Sequence, residues 1–272
     1  MRIKWLLAWL LAGCCAAAAQ AAPQRVVSLG GGVTEIVYDL GQGGRLVADD
    51  LSSLYPEAAT RLPRVGYYRA LPLEGILSMK PDLVLASENA GPRTVIDRIR
   101  GLGVPVRVVS DSPSLSSLYT RVRQIAQALG VAGKGEALAG KIRDDVAQAR
   151  AQPGKPRRAL LLMNRTGQFM AAGGQTAANE ILTLAGLHNV LAGQKGYKPL
   201  SAEGVAALAP DMIVITRASL DAGGLAAFMA RPGIAATPAA RDKRVVVMGD
   251  LLILGLGPRT GEAIRQLKKA SR

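Results

Sequence analysis

Histidine and cysteine are nearly missing from this chain of 272 residues. His188 is its one histidine, and its two cysteines are Cys14 and Cys15. Zinc and manganese sites are built from several histidine, cysteine and carboxylate ligands, so the sequence excludes most sites of that kind. Hydrolysis by a serine–histidine–aspartate triad would depend on His188 alone, and no G-x-S-x-G motif occurs. We interpret His188, which follows Gly186-Leu187 after a helix, as a structural surface residue.

Long apolar runs are missing beyond the amino terminus. Arg2 and Lys4 precede a short apolar run that passes into an alanine-rich tail. This pattern is typical of a secretory signal peptide over residues 1–21, and no later segment reaches the roughly 20 residues of a membrane span. Residues 11–14 also resemble a lipoprotein cleavage site that would leave Cys14 acylated. Because the alanine tract continues beyond Cys14, we expect a soluble exported protein rather than a lipid-anchored one.

Acidic residues are few compared with basic ones. Removing residues 1–21 takes away both cysteines and both tryptophans and leaves 32 basic and 20 acidic residues, a formal charge of about +12. Such a surplus favours acidic partners, of which nucleic acid is the usual first candidate. An exported protein meets little nucleic acid, and the chain has no run rich in lysine and arginine. We therefore expect no nucleic-acid partner, and the charge serves solubility, an anionic ligand or a membrane surface.

A repeat relates the two halves of the chain. The segment GYYRALPLEGILSMKPDLVLAS at 66–87 recurs as GYKPLSAEGVAALAPDMIVIT at 196–216. At a constant offset of 129 residues, three features align: Tyr68 with Tyr197, Glu74 with Glu203, and Pro81-Asp82 with Pro210-Asp211. One long repeat indicates two similar lobes, and clefts between lobes are common ligand sites. Tyr67 has no counterpart, because Gly196 stands opposite it, and this asymmetry points to the ligand.

Short apolar strands alternate with helices along both halves. The predicted strands are 25–29, 82–86, 104–109, 158–163, 212–216 and 244–248, and the predicted helices are 34–40, 92–102, 114–129, 135–151 and 177–185. Continuous apolar strands of this kind predict parallel sheets covered on both faces. We therefore predict an α/β fold of two Rossmann-like lobes with parallel-rich sheets. The lobes comprise residues 22–133 and 154–272, and a single long helix at 134–153 joins them.

Gly30-Gly31-Gly32 follows the first predicted strand and has part of the pattern of a dinucleotide-binding turn. The third glycine of that fingerprint falls at Glu35, where a carboxylate would meet the pyrophosphate. We therefore interpret these glycines as a strand-to-helix turn that lines the cleft.

Tyrosine, carboxylate and methionine are the donors left for a directly bound iron. Tyrosinate is a hard anionic oxygen suited to ferric iron, but its pKa of about 10 must fall before it can bind at neutral pH. Bound iron and a neighbouring cation both lower it, and Tyr67-Tyr68 is followed at once by Arg69. Tyr68 has a counterpart in Tyr197, which suggests a packing role for Tyr68. Tyr67 is therefore the better candidate for the iron ligand.

Four stretches resemble the periplasmic haem-binding proteins of ABC haem importers, whose two lobes are joined by one long helix. They are VVSLGGGVTEIVYDLG at 26–41, RLPRVGYYRALPLEGILSMKPDLVLAS at 61–87, MAAGGQTAANEIL at 170–182 and YKPLSAEGVAALAPD at 197–211. The resemblance implies that Tyr67 ligates the iron of haem b, carried as the transported ligand, and that Arg69 stabilises the phenolate. Some relatives carry a histidine near the position of Asn164, but asparagine is a poor iron ligand.

Further pocket residues can be assigned on the same basis. Tyr68 and Met170 would support the macrocycle, and Arg217, just after the strand of the second repeat, is a candidate partner for a haem propionate. Glu74 and Glu203, each near a helix start, would dock onto arginines of the permease, although the helix dipole also favours carboxylates there.

The resemblance implies a carrier and not an enzyme. It would receive haem from an outer-membrane receptor and deliver it to an inner-membrane ABC permease dimer with its ATPase, for haem and iron uptake. A ferric siderophore or corrinoid binding protein of the same class is the first alternative. Corrinoid carriers tend to hold their ligand with aromatics, and after residue 21 the chain has no tryptophan and only Phe169 and Phe228. An exported α/β enzyme using His188 is the second alternative.

Overall fold

The computed structural model describes residues 22–165, 168–220 and 222–272. The predicted signal peptide and Cys14 lie outside the described residues. The first half contains strands β1 (Val26–Leu29), β2 (Leu46–Asp49), β3 (Leu83–Ser87) and β4 (Val106–Val109), with helices α1 (Gly31–Asp39), α2 (Leu73–Ser78), α3 (Arg93–Gly101) and α4 (Leu115–Ala128). Helix α5 (Ala132–Ala151) follows.

The second half contains strands β5 (Arg158–Arg165), β6 (Gln168–Ala172), β7 (His188–Asn189), β8 (Tyr197–Pro199), β9 (Met212–Thr216) and β10 (Val245–Met248). Its helices are α6 (Ala177–Leu184), α7 (Ala202–Leu208), α8 (Gly224–Ala230), α9 (Pro238–Arg241), α10 (Asp250–Leu254) and α11 (Thr260–Ala270). The predicted strands and helices are all present, with ends shifted by a few residues. Strands β2, β6, β7 and β8 and helices α8, α9, α10 and α11 were not predicted.

The first sheet has the order β2-β1-β3-β4 and is parallel throughout. The second has the order β10-β9-β5-β6-β8 and is mixed, because β6 runs antiparallel to β5 and to β8. Its other strand pairs are parallel, so the prediction of parallel-rich sheets is confirmed. Only residues 166 and 167 separate β5 from β6 in sequence, and so short a connection allows antiparallel pairing alone.

The repeat seen in the sequence has a structural counterpart at the start of each sheet. The carboxylate of Asp82 accepts the backbone N–H of Arg25 at 2.9 Å, and that of Asp211 accepts the backbone N–H of Arg158 at 3.1 Å. Each arginine side chain in turn donates to carbonyls at the end of the helix before the aspartate. The Pro-Asp pairs thus align equivalent strands in the two halves.

Helix α1 begins at Gly31, three residues before the predicted start at Thr34. Gly30 has φ 116°, and a Cβ on Gly31 would lie 2.2 Å from the carbonyl oxygen of Ser52. The glycines are needed because the loop after β2 presses against the helix start.

Helix α5 lies between the two sheets in chain order and packs against α4 and α11. Its buried residues Ile142 and Val146 belong to a core that also contains Ile125 of α4 and Ile264 of α11. Residues of both halves therefore share this apolar core around the helix, and each half also has a separate apolar cluster of its own. The domain borders at 133 and 154 stay a prediction.

Candidate functional site

A cavity of about 1040 Å³ opens between the two halves of the molecule. The first half contributes the glycine turn at 30–33, the loop at 51–54 and the segment 67–69. The second half contributes the ends of β5 and β6 and the starts of α6 and α10. Small-molecule sites usually occupy roughly 300–1,000 Å³, so this cavity can take a large ligand.

Tyr67, Tyr68 and Arg69 form one cluster on the cavity wall. The two phenol rings meet edge to face with centroids 5.1 Å apart, and Arg69 Cζ lies 4.8 Å from the centre of the Tyr68 ring. Burial raises the pKa of Tyr68 to about 12, although the charge of Arg69 opposes this. Desolvation lowers the pKa of Arg69, but attraction and hydrogen bonding to both phenols outweigh it and raise that pKa. The guanidinium thus interacts with both hydroxyls.

The buried carboxylate of Asp50 holds this cluster against the glycine turn. Its Oδ1 accepts the N–H of Gly30 at 2.8 Å, and its Oδ2 accepts the N–H of Tyr68 at 3.2 Å. The Tyr68 carbonyl accepts the N–H of Gly91 at 2.9 Å, which fixes the other side of the segment. Sequence reasoning missed Asp50. The signal available was its place directly after β2, where a second aspartate follows Asp49 at the end of an apolar run.

Methionine and asparagine form the facing wall. Met163 and Met170 are cross-strand partners of β5 and β6, and both line the cavity. Asn164 also lines it, and its backbone N–H donates to the Ser219 hydroxyl at 2.7 Å. The side-chain oxygen of Asn164 is buried with no hydrogen-bond partner among the described residues. Tyr197, the repeat counterpart of Tyr68, lines the same cavity.

Arg121 is a buried cation at the cavity that the sequence did not reveal. It is only 1% exposed, forms an ion pair with Asp111, and donates from Nη2 to the carbonyl of Leu256 at 2.7 Å. It therefore ties α4 to the segment between α10 and α11. The only signal of its burial was its position beside Leu118 and Val122 on the buried face of α4. Arginine is rarely buried unless it is paired.

Glu35, where a dinucleotide-binding turn would have its third glycine, is committed to an ion pair. Its Oε1 and Oε2 accept from Arg259 Nε and Nη2 at 2.7 and 3.3 Å. Arg259 also lies over the ring of Tyr55, with Cζ 3.5 Å from its centre. Burial raises the pKa of Glu35, and the hydrogen bonds and charge of Arg259 oppose that rise. The carboxylate therefore joins the two halves of the chain.

The remaining predicted residues lie elsewhere. Arg217 is exposed and is not among the described residues that line the main cavity. It lines a neighbouring hollow of about 300 Å³ together with Tyr55 and Arg259. His188 is exposed on β7, which pairs with the start of β5. Glu74 and Glu203 are exposed in the first turns of α2 and α7.

The described residues contain neither a cluster of metal-binding side chains nor a membrane-spanning helix. Their histidine, cysteine, aspartate and glutamate side chains form no group of three or more that could hold a metal ion. None of their helices combines the length and the apolar character needed to cross a bilayer. Two α/β lobes with a long helix between them in sequence and a large cavity lined from both sides define the class: a two-lobed ligand-binding protein.

The chain belongs to the periplasmic binding protein family, which it matches over residues 26–251. The periplasmic heme-binding protein RhuT from Roseiflexus sp. RS-1, in its apo form, is 39% identical with a TM-score of 0.85, over 92% of this chain and 99% of that one. The periplasmic heme-binding protein BhuT, solved with two hemes, is 41% identical with a TM-score of 0.83, over 91% and 99%. A vitamin B12-binding protein of Yersinia pestis is 30% identical over 213 residues, 77% of this chain and 75% of that relative.

These similarities confirm the fold class and the resemblance predicted from the sequence. Membership of the family indicates a protein that works in the periplasm or otherwise outside the cytoplasm. The family consists of substrate-binding proteins of transporters, and those of ABC importers work with a permease and an ATPase.

Proposed function

We propose that this protein binds haem in the cavity between its lobes and delivers it to an inner-membrane ABC permease. The observation that carries the proposal is the Tyr67–Tyr68–Arg69 cluster on the wall of a cavity of about 1040 Å³. The similarity to two periplasmic heme-binding proteins at 39% and 41% identity supports it. The protein acts as a carrier and not as an enzyme.

Tyr67 is the proposed axial ligand of ferric haem iron. Iron(III) favours the anionic phenolate, and the positive charge of Arg69 lowers the cost of forming it. Tyr68 has the opposite role, because a pKa of about 12 keeps its phenol protonated at neutral pH. It then serves as a neutral wall and hydrogen-bond donor beside the ligand.

The rest of the cavity suits an apolar macrocycle. Met163 and Met170 offer polarisable side chains for its face, and Asn164 offers a neutral amide where a histidine would give a second iron ligand. Haem b is the proposed form, since covalent attachment needs cysteines and those of this chain stand at positions 14 and 15, within the predicted signal peptide. Arg217 stays a proposed propionate partner, reached from the neighbouring hollow.

Glu74 and Glu203 are the proposed docking residues for the permease dimer. Both are exposed, and each lies in the first turn of an equivalent helix of the repeat. Hydrogen bonding to its own backbone N–H, and then to the Ser201 hydroxyl, lowers the pKa of Glu203 and keeps it ionised. An outer-membrane receptor is the proposed source of the haem, and export through the signal peptide at residues 1–21 would bring the protein to it.

Vitamin B12 is the second candidate ligand, because a vitamin B12-binding protein is 30% identical over 77% of this chain. Titration of the mature protein with hemin and with cyanocobalamin, followed by visible spectroscopy, separates the two. We expect hemin to produce a high-spin ferric tyrosinate spectrum and cyanocobalamin to leave no bound complex. Tight binding of cyanocobalamin without a hemin complex would overturn the proposal.

A further inference from the structure

The loop at residues 50–55 has an inverted arrangement of polar and apolar side chains. Asp50 and Ser53 are fully buried, whereas Leu51 is 56% exposed, Leu54 is 51% exposed and Tyr55 is 40% exposed. Among the described residues, the other large apolar side chain with such exposure is Leu102. This arrangement reverses the usual distribution, in which leucine is buried and aspartate exposed, and adjacent exposed apolar side chains are typical of ligand-binding grooves.

This exposure is not the result of a loosely held loop. Arg64 donates to the carbonyls of Asp50 and Ser53 at 2.6 and 3.0 Å, and Asp50 accepts from the backbone and hydroxyl of Ser52. The N–H of Leu51 donates to the carbonyl of Gly66 at 2.8 Å. The backbone that presents the leucines is therefore fixed before any ligand arrives, which reduces the entropy lost on binding.

The leucines face the cavity already described. Leu51 and Leu54 both line it, and Leu251 and Leu254 of the second half line it as well. The backbone hydrogen bond from Leu51 to Gly66 holds the 50–55 loop against the residue that directly precedes Tyr67 in the sequence. A ligand whose metal is bound by Tyr67 would therefore have its apolar body within reach of this loop.

We propose that Leu51 and Leu54 form a fixed apolar contact for the macrocycle of the ligand. This contact raises the affinity of the protein for its ligand and selects flat, apolar tetrapyrroles. The proposal rests on the proposed function, since it assigns residues within the same cavity. The contact with the two leucines adds a contribution to the binding affinity that does not depend on the iron. The loop therefore binds the macrocycle whether or not a metal is present, and Tyr67 adds the metal bond.

The test uses the mature protein with hemin and with metal-free protoporphyrin IX. Covering two half-exposed leucines with an apolar ligand predicts that the Leu51→Ser, Leu54→Ser double variant loses roughly 10- to 100-fold in affinity for both probes. The ferric spectrum of its hemin complex should match that of the wild type, because Tyr67 still ligates the iron. Leu102 is an equally exposed leucine directly after α3, so Leu102→Ser is the matched control and should change neither affinity.

Several outcomes are decisive. Wild-type protein that fails to bind hemin overturns the proposed function itself. Wild-type binding with unchanged dissociation constants in the double variant overturns only the role of the leucines. Unchanged affinity with a loss of transporter ATPase stimulation would instead identify the patch as a permease contact. Thermal unfolding of the variants checks that they fold, and Leu51→Ala and Leu54→Ala, measured singly, replace the double variant if it does not.

Discussion

Glu35 and Arg259, separated by 224 positions in the sequence, form a bidentate ion pair that joins α1 to the start of α11. Only 2% of the Glu35 side chain and 23% of the Arg259 side chain are exposed. A buried pair of this kind contributes little net free energy when intact, but removal of one partner leaves an uncompensated buried charge. The pair therefore acts chiefly to hold the two halves in one arrangement.

Replacing Arg259 with alanine should lower the free energy of unfolding by about 3–5 kcal/mol, because Glu35 is left buried without its partner. Urea denaturation measures the loss. Arg265→Ala is the control, since Arg265 pairs with Asp145 and both side chains are 36% exposed. That exposed pair should contribute only about 0–1 kcal/mol. Equal losses in the two variants would show that the Glu35–Arg259 pair has no special role.

Tyr67→Ala should abolish the ferric tyrosinate spectrum of the hemin complex, because it removes the proposed iron ligand. Tyr68→Phe should leave that spectrum largely intact, since the pKa of about 12 keeps the Tyr68 phenol from forming a phenolate. Visible absorption and resonance Raman spectra of the two complexes check this. If Tyr67→Ala keeps the wild-type spectrum, the ligand assignment is wrong.

Arg69→Ala should weaken hemin binding by roughly 10- to 100-fold, as is usual when a residue that supports a metal ligand is removed. Without the guanidinium, the anionic phenolate of Tyr67 that binds ferric iron loses its neighbouring positive charge. Hemin titrations across a pH series measure this. Arg69→Lys keeps a positive charge and should recover part of the affinity. Equal hemin affinities in the wild type, Arg69→Ala and Arg69→Lys would contradict the role.

Asp49 predicts a specific dependence of stability on pH. It is fully buried, and Arg64 Nη1 lies 3.1 Å from its Oδ1. Burial raises its pKa from 3.8 to about 7, with Arg64 opposing the rise and Asp50 adding to it. The folded state therefore holds this proton more tightly than the unfolded state, and stability is lost as pH rises from about 4 to 7.

Compared with the Asp49→Asn variant, the wild type should lose up to about 1.4 kcal/mol of unfolding free energy per pH unit in that range. Urea denaturation at intervals from pH 4 to 8 provides the comparison. Asp97→Asn removes an exposed carboxylate and should leave the pH dependence unchanged. Parallel pH curves for wild type and Asp49→Asn would refute the shift.

The Glu74→Ala, Glu203→Ala double variant should bind hemin normally yet fail to stimulate the transporter ATPase in reconstituted membranes. Truncation of one partner of a desolvated interface pair costs about 2–5 kcal/mol, whereas these exposed carboxylates do not line the described cavity. A Glu57→Ala, Glu136→Ala variant changes the net charge equally at other exposed sites and serves as the control. If the Glu74→Ala, Glu203→Ala variant stimulates the ATPase normally, the two glutamates serve only to stabilise the first turns of their helices.

Much of the fold could be read from local patterns. The apolar runs at β1, β3 and β9 identified buried strands, and the repeat identified two similar lobes. The antiparallel strand β8 could not be predicted, because only three residues of it pair and they carry no alternating pattern. Helix α11 was also missed, although Ala263, Ile264 and Leu267 have the spacing of one helix face, and they are buried in the core that contains α5.

The sequence by itself determined the α/β class, the family resemblance and the candidate status of Tyr67, because each depends on residue types at short spacing. Only the tertiary structure decided that Glu35 meets Arg259, that Arg121 is buried at the cavity and that Leu51 is exposed beside it. The physical reason is that burial and pairing depend on what the opposite half of the chain places nearby. The local sequence gives the identity of a side chain, but it does not show which distant residues pair with it or bury it.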